Sequence, residues 1–239
     1  LPLTKIEIQW LKYCINNSKA KLFLEENQLS KLKDIFTVEE NDLPISSINY
    51  YDKFKSHNEI ADTGNYIDNF KKIVKAFTDE KVVKINYKSV NNSTRLVNIG
   101  LIEYSNKDDK FRIYCKKENS VSVYNLERIN SVEILSDSYN RNSAEKSIKN
   151  HILNQRKEIT LEFANVKNIP DRLLTEFTPW EKLCTRLDDR YNVTIKYDKQ
   201  DSFEIVTRLL PYGKNIKILS DTGNVKTKIE NRINKQLSM

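Results

Sequence analysis

Apolar residues recur along this chain at two different periods, and the switch between them divides it. Phe70, Ile73, Val74 and Phe77 fall at i, i+3, i+4 and i+7, the spacing of one helix face, with Lys71, Lys72 and Lys75 off that stripe. Those lysines read most simply as a solvated face. From Val82 the period drops to two, which places Val83, Ile85 and Tyr87 on one side of a strand ending near Lys88. Asn91-Asn92-Ser93 then predicts a turn before a long strand from Arg95 to Tyr104. A second turn over 106–110 leads into Phe111-Arg112-Ile113-Tyr114-Cys115-Lys116. Here Phe111, Ile113 and Cys115 share an apolar face, and Arg112, Tyr114 and Lys116 a basic, aromatic one. The polar run Lys117-Glu118-Asn119-Ser120 connects to a strand from Val121 to Leu126, and Ile129 to Leu135 supplies a fifth.

Upstream, Thr4 and Glu7 have capping-box spacing, with Leu3 and Ile8 placed as a hydrophobic staple. The helix they open is predicted to run to about Asn16 and to bury Ile6, Trp10 and Cys14. A second helical stretch, Glu25 to Phe36, puts Leu29, Leu32 and Phe36 on one side. Neither forms a helix-turn-helix with a basic second helix, so 1–67 reads as a helical connector. Asp42 to Asn65, with Pro44 and Tyr50-Tyr51, reads as a connecting segment whose tyrosines pack. Residues 138–155 read as a polar hinge helix, where Arg141, Lys146 and Lys149 are most simply solvated.

A mixed α/β unit follows over 156–239. Ile159, Leu161 and Phe163 alternate as a strand, and Pro170 opens a helix through Phe177. Thr178-Pro179-Trp180-Glu181 has the spacing of another capping box. Tyr191, Val193, Ile195 and Tyr197 make the next strand, and Phe203 to Val206 begins another that passes into a short helix near Tyr212-Gly213. Ile216 to Leu219 is a last strand, before a helix carrying Val225, Ile229, Ile233 and Leu237. The class is α+β, with boundaries at 1–67, 68–137, 138–155 and 156–239.

Composition narrows the function. Four Gly and five Pro in 239 residues argue against low complexity. No apolar run approaches the roughly 20 residues of a membrane span, and no signal peptide opens the chain, so a cytoplasmic location is expected. Three scattered cysteines, Cys14, Cys115 and Cys184, suit buried thiols in a reducing compartment. The two histidines have no ligand-spaced neighbours, and neither a metal nor another cofactor is expected. The sequence opens on Leu1 rather than Met, which suggests further residues upstream. The +7 net charge is uneven: 8 basic and 10 acidic residues over 1–67, 13 and 10 over 68–137, 19 and 13 over 138–239. That excess suits a nucleic-acid or phosphorylated partner, or an ordinary lysine-rich surface.

One helix followed by five strands, with Leu126-Glu127-Arg128-Ile129 ending the fourth, resembles the WYL domain. That family is a small SH3-like (Sm-like) barrel found in bacterial transcription regulators. Phe111-Arg112-Ile113 stands where the family's naming tripeptide would be. The tail, with Leu209-Leu210-Pro211-Tyr212-Gly213 before a strand and a terminal helix, is similar to the WCX extension that follows WYL domains. The resemblance implies a five-stranded barrel, a ferredoxin-like C-terminal domain and a homodimer. It also implies that Tyr87, Arg95, Arg112, Tyr114, Asn125 and Arg128 converge on one exposed side of the barrel.

Arginine offers a planar fork of donors to phosphate, tyrosine a stacking face and asparagine an edge-reading amide. Two or three charge-assisted hydrogen bonds at about 1.5–3 kcal/mol and a stacked base at about 1–3 kcal/mol suffice for micromolar binding. Tyr87 reads more readily as a core residue, and Arg128 equally as a structural partner of Glu127 or Glu103. No nucleophile, P-loop or metalloprotease motif is present, and Asp108-Asp109 and Asp188-Asp189 look like solvated turns, so no enzyme is expected. The resemblance implies the ligand-sensing core of a transcription regulator that binds a nucleic-acid fragment or nucleotide. The alternatives are an accessory module that binds single-stranded RNA or DNA beside an effector such as a CRISPR nuclease, and a structural dimerisation unit.

Overall fold

The computed structural model describes residues 3–17, 19–36, 64–88, 93–105, 108–118 and 120–238. The connecting segment with Pro44 and Tyr50-Tyr51 and the turn at Asn91-Asn92 lie outside the described residues. The protein is mixed α+β, with two antiparallel sheets of five and four strands in two units, Leu1–Ile148 and Lys149–Met239. No helix among the described residues is long and apolar enough to cross a membrane.

The first unit opens with α1 (Lys5–Asn16), α2 (Ala20–Phe23) and α3 (Glu26–Ile35). The capping box forms as expected: Thr4 Oγ1 accepts from Glu7 N at 3.3 Å, and Glu7 Oε2 accepts from Thr4 N at 2.7 Å. The buried face of α1 differs from the expectation. Ile6 is 82% exposed and Trp10 64%, whereas Ile15 and the Lys12 side chain are buried. Lys12 sits three residues before Ile15, and its alkyl stem completes that stripe. The uncommitted polarity of a lysine stem is why the pattern pointed to the wrong face.

Helix α4 (Gly64–Thr78) buries Tyr66, Phe70, Ile73 and Ala76 against a sheet of β1 (Lys81–Tyr87), β2 (Ser93–Ser105), β3 (Lys110–Lys117), β4 (Ser120–Asn125) and β5 (Ile129–Ser138). Asn69 ties the two layers, donating from Nδ2 to the Ile129 carbonyl at 2.9 Å inside the core. Val83, Ile85, Ile113 and Cys115 are all 0% exposed, as the period-two pattern predicts, and so is Ile99.

The strand order is β4-β3-β2-β1-β5, and β4 does not pair with β5 among the described residues. The expected closed barrel is therefore an open sheet. A 3-10 turn at Leu126–Arg128 sends the chain from β4 out along β1, where Tyr87 pairs with Ile129 and Ile85 with Val132. In β2 a bulge at Gly100 shifts the register, since Ile99 pairs with Cys115 and Leu101 with Tyr114. Val97 and Ile99 face the core before it, and Ile102 after it. Helix α5 (Arg141–Gln155) sets buried Ala144 and Ile148 against Gly100. A Cβ at Gly100 would collide with the Ile148 side chain. The first half of the expected polar hinge helix is thus packed.

The second unit runs β6 (Arg156–Ala164), α6 (Ile169–Glu176), β7 (Glu181–Leu187), β8 (Arg190–Asp198), α7 (Ser202–Leu209), β9 (Ile216–Asp221) and α8 (Val225–Leu237). Its sheet order is β7-β8-β6-β9, antiparallel throughout. Ile159, Leu161 and Phe163 line its core with Leu173 of α6 and Ile205 of α7.

Two expectations fail here. The 178–180 segment is a turn rather than a helix start, and Glu181 opens β7. Trp180 is buried there, its ring 5.7 Å from Phe177 and its Nε1 donating to Asp201 at 2.9 Å. Phe203 to Val206 is helical, because Ile205, Val206 and Leu209 bury one face at helical spacing and leave Phe203 70% exposed.

Candidate functional site

The six residues expected on one exposed side occupy two faces of the first sheet. Cross-strand partners share a face. Arg95 stands opposite Ile85, and Tyr87 is two residues on, so both belong to the α4 side. Arg112 and Tyr114 alternate with buried Phe111, Ile113 and Cys115 and belong to the other. The convergence expected from the resemblance is therefore corrected by the register of β1 and β3.

On the outer face Arg112 has carboxylates around it. Its guanidinium pairs with Asp108 and, at 3.4 Å, with Glu103, and its side chain is only 16% exposed. Glu103 is the residue directly opposite Arg112 in β2, so the hairpin register delivers this pair. Tyr114 donates its hydroxyl to the same Glu103 at 3.4 Å. Its ring is 6% exposed, between Leu101 and Val123 across the sheet, and offers no free stacking surface. Asn125 is half-buried opposite Arg112.

Tyr87 lies where the strands end. Its ring meets Tyr124 edge-on, with centroids 5.1 Å apart, and its hydroxyl accepts from the Asn125 backbone N–H at 3.4 Å. Burial raises the Tyr124 phenol above its ordinary value, while the charge of nearby Arg95 pulls it back. Arg95 is exposed at this end. Arg128 is exposed on the 3-10 turn, whose carbonyl accepts from Lys88 N at 2.8 Å beside Tyr87. Among the described residues neither Arg95 nor Arg128 has a carboxylate partner. The structure thus brings Tyr87 to Asn125 and Arg95 to Tyr124, and holds Arg112 and Tyr114 together through Glu103.

No protein-family model matches the chain, and no curated protein matches it. Among solved structures it is similar to the proteasome accessory factor B/C (PafBC) of Arthrobacter aurescens. The TM-score is 0.29 at 15% identity, over 70% of this chain and 26% of that one. It is also similar to a CRISPR Cas-related protein, at TM-score 0.32 and 12% identity over 76% of this chain and 56% of that one. The chain spans about a quarter and just over half, respectively, of the length of these two proteins.

Tyr124 and Asp108 were not among the expected site residues. Tyr124 has a readable signal, since it faces opposite to Asn125 on β4 and so falls beside the end of β1. Asp108 has none, because its role depends on how the chain at 108–110 brings its carboxylate to Arg112. Among the described residues no cluster of His, Cys, Asp and Glu could hold a metal.

Proposed function

We propose that the first unit is an SH3-like sensing module of WYL type and the second a ferredoxin-like WCX module. In this reading the chain is the ligand-sensing core of a transcription regulator. The ligand is a short single-stranded nucleic acid or a nucleotide, bound as an anion and not transformed. It docks where Arg95, Arg128 and the Tyr87–Tyr124 pair meet at the end of the sheet. One observation carries this: these two arginines are exposed and free of carboxylates among the described residues, whereas Arg112 is committed to Glu103 and Asp108. An unpaired guanidinium can meet a phosphate without first breaking an ion pair. A regulatory effect further requires that the ligand bind one arrangement of a homodimer better than another.

Fluorescence-anisotropy titration of labelled oligonucleotides tests the site. Arg95→Ala and Arg128→Ala are each expected to weaken binding about ten- to a hundredfold, the loss of one charge-assisted hydrogen bond. Each should also lower the salt slope by about 0.7, the contribution of one phosphate contact on a single strand. Arg112→Ala should stay within about threefold of wild type. Loss of binding in Arg112→Ala alone would reverse the assignment.

A further inference from the structure

β7 is the outer strand of the second sheet, and its residues face solvent along the free edge. Six of the seven are exposed, and Lys182 is half-buried. A strand edge carries unpaired N–H and C=O groups, which proteins commonly protect with proline, a bulge or a covering element. Glu181–Leu187 contains no proline, and its pairing with β8 runs without a register shift. The opposite edge, β9, is shorter, and a register shift interrupts its pairing with β6.

Register fixes which groups this edge offers. Leu187 and Arg190 flank the turn at Asp188 and Asp189, so they are the hydrogen-bonded pair that closes the hairpin. Alternation then turns the backbone groups of Glu181, Leu183, Thr185 and Leu187 toward β8, and those of Lys182, Cys184 and Arg186 outward. Side chains alternate as well. Cys184 stands across from buried Val193 on the core side, which leaves Glu181, Leu183, Thr185 and Leu187 on the outer face. Leu183 is 69% exposed there and Leu187 53%.

An antiparallel strand added to this edge must pair its own outward-facing residues with those of β7. If that strand is another β7, two-fold symmetry allows registers centred on Leu183, Cys184 or Thr185. Centring on Cys184 sets Lys182 against Arg186 of the second copy on both sides of the axis, and like charges directly opposite are destabilising. Centring on Leu183 leaves Leu187 outside the paired stretch. Centring on Thr185 pairs Leu183 with Leu187 of the second copy and the reverse, so the exposed leucines cover one another on one face. It sets Cys184 opposite Arg186, whose outward backbone groups then exchange hydrogen bonds, and brings Lys182 beside Asp188 of the second copy. Glu181, which falls near Asp189 in this register, is already held by Lys196 at 2.8 Å and Arg156 at 3.8 Å.

We propose that β7 is a self-association surface, on which a second copy of this chain adds its own β7 antiparallel, centred on Thr185, and continues the sheet. The leucine pairing and the charge pattern select a second copy over an unrelated strand, because one sequence supplies both halves of each match. The contact is small beside the roughly 1,200–2,000 Å² of stable interfaces, so the dimer forms in the micromolar range. The surface lies in the second unit, and the proposal does not rest on the ligand site at Arg95 and Arg128.

Disulfide trapping in the full chain reads the register. Directly opposite residues of a non-hydrogen-bonded antiparallel pair have Cα atoms about 4.5 Å apart, within disulfide reach. Thr185→Cys in a Cys184→Ser background, oxidised at about 100 μM, is therefore expected to give a covalent dimer on non-reducing gels. Cys184→Ser alone, and Leu183→Cys in the same background, should give none, because neither sets a cysteine against a cysteine. Leu183→Lys/Leu187→Lys should weaken dimerisation about tenfold or more by sedimentation equilibrium. Its melting temperature, at a dilution where both proteins are monomeric, should match wild type, because both leucines are exposed in the single chain. Adding Arg95→Ala should leave the Thr185→Cys cross-link unchanged, so failure here is distinguishable from failure of the oligonucleotide site. Absence of the Thr185→Cys cross-link, or a dissociation constant unchanged by the two lysines, would overturn the proposal. So would a wild-type dimer cross-linked through Cys184, which would move the symmetry axis to that residue.

Discussion

Asp109 accepts hydrogen bonds from Lys19 and from Tyr104, and Lys19 Nζ also lies 2.8 Å from the Tyr104 hydroxyl. These contacts tie the turn before α2 to the hairpin between β2 and β3. Burial opposes charge on both ionised partners, yet the hydrogen bonds prevail: Asp109 falls below its ordinary 3.8 and Lys19 rises above its ordinary 10.5. The sign of the linkage follows. The Asp109 contribution is complete above 3.8 and is lost as pH falls through the lower folded value, while that of Lys19 persists up to 10.5 and is lost above. Asp109→Asn should therefore melt below wild type at pH 7, and the gap should close as pH drops below 3.8. A gap independent of pH would show that the ion pair adds nothing. Gly100 presents a different residue-scale constraint, steric instead of electrostatic. Gly100→Ala drives a methyl into Ile148 and should cost about 1–3 kcal/mol in denaturant unfolding, the usual penalty of overpacking.

Among elements, β3 shows how far a two-residue period can be trusted. Its alternation put Phe111, Ile113 and Cys115 in the core, and they are there, with the Cys115 thiol pushed up by complete burial. The alternation also put Arg112 and Tyr114 on the opposite face. It could not say that β2 would bring Glu103 across to neutralise one and bond the other. Helix α1 shows the same limit, since its capping box depends on neighbouring residues and formed as read, while its buried face depended on packing and did not. Ile113→Ala should destabilise the protein by about 2–5 kcal/mol, whereas Ile6→Ala, at an 82% exposed position, should stay within about 0.5 kcal/mol. Paired chemical melts of the two variants check this contrast.

At the scale of the whole molecule, the described residues form two hydrophobic cores, one between α4 and the five-stranded sheet and one between the second sheet and α6, α7 and α8. Each unit closes its own core, so each is expected to unfold cooperatively by its own residues. Calorimetry of Ile113→Ala and Ile159→Ala should then move different parts of the unfolding profile, one substitution per core. A single transition displaced equally by both would indicate one cooperative body. Charge divides along the same line, with 17 basic and 12 acidic residues in 149–239.

Period and local chemistry in the sequence determined the helix of α4, the five strands after it, the capping box of α1 and the inward faces of β3, β6 and β8. Each of these is decided by residues a few positions apart, where the backbone repeat fixes which side chains agree. Only the tertiary structure decided that the first sheet stays open and that the six site residues fall on two faces. It alone also placed Arg112 among carboxylates. Those outcomes depend on strand register and on contacts between distant segments: one bulge at Gly100, one turn at Leu126–Arg128, and a glycine at 223 packed against the Tyr197 hydroxyl.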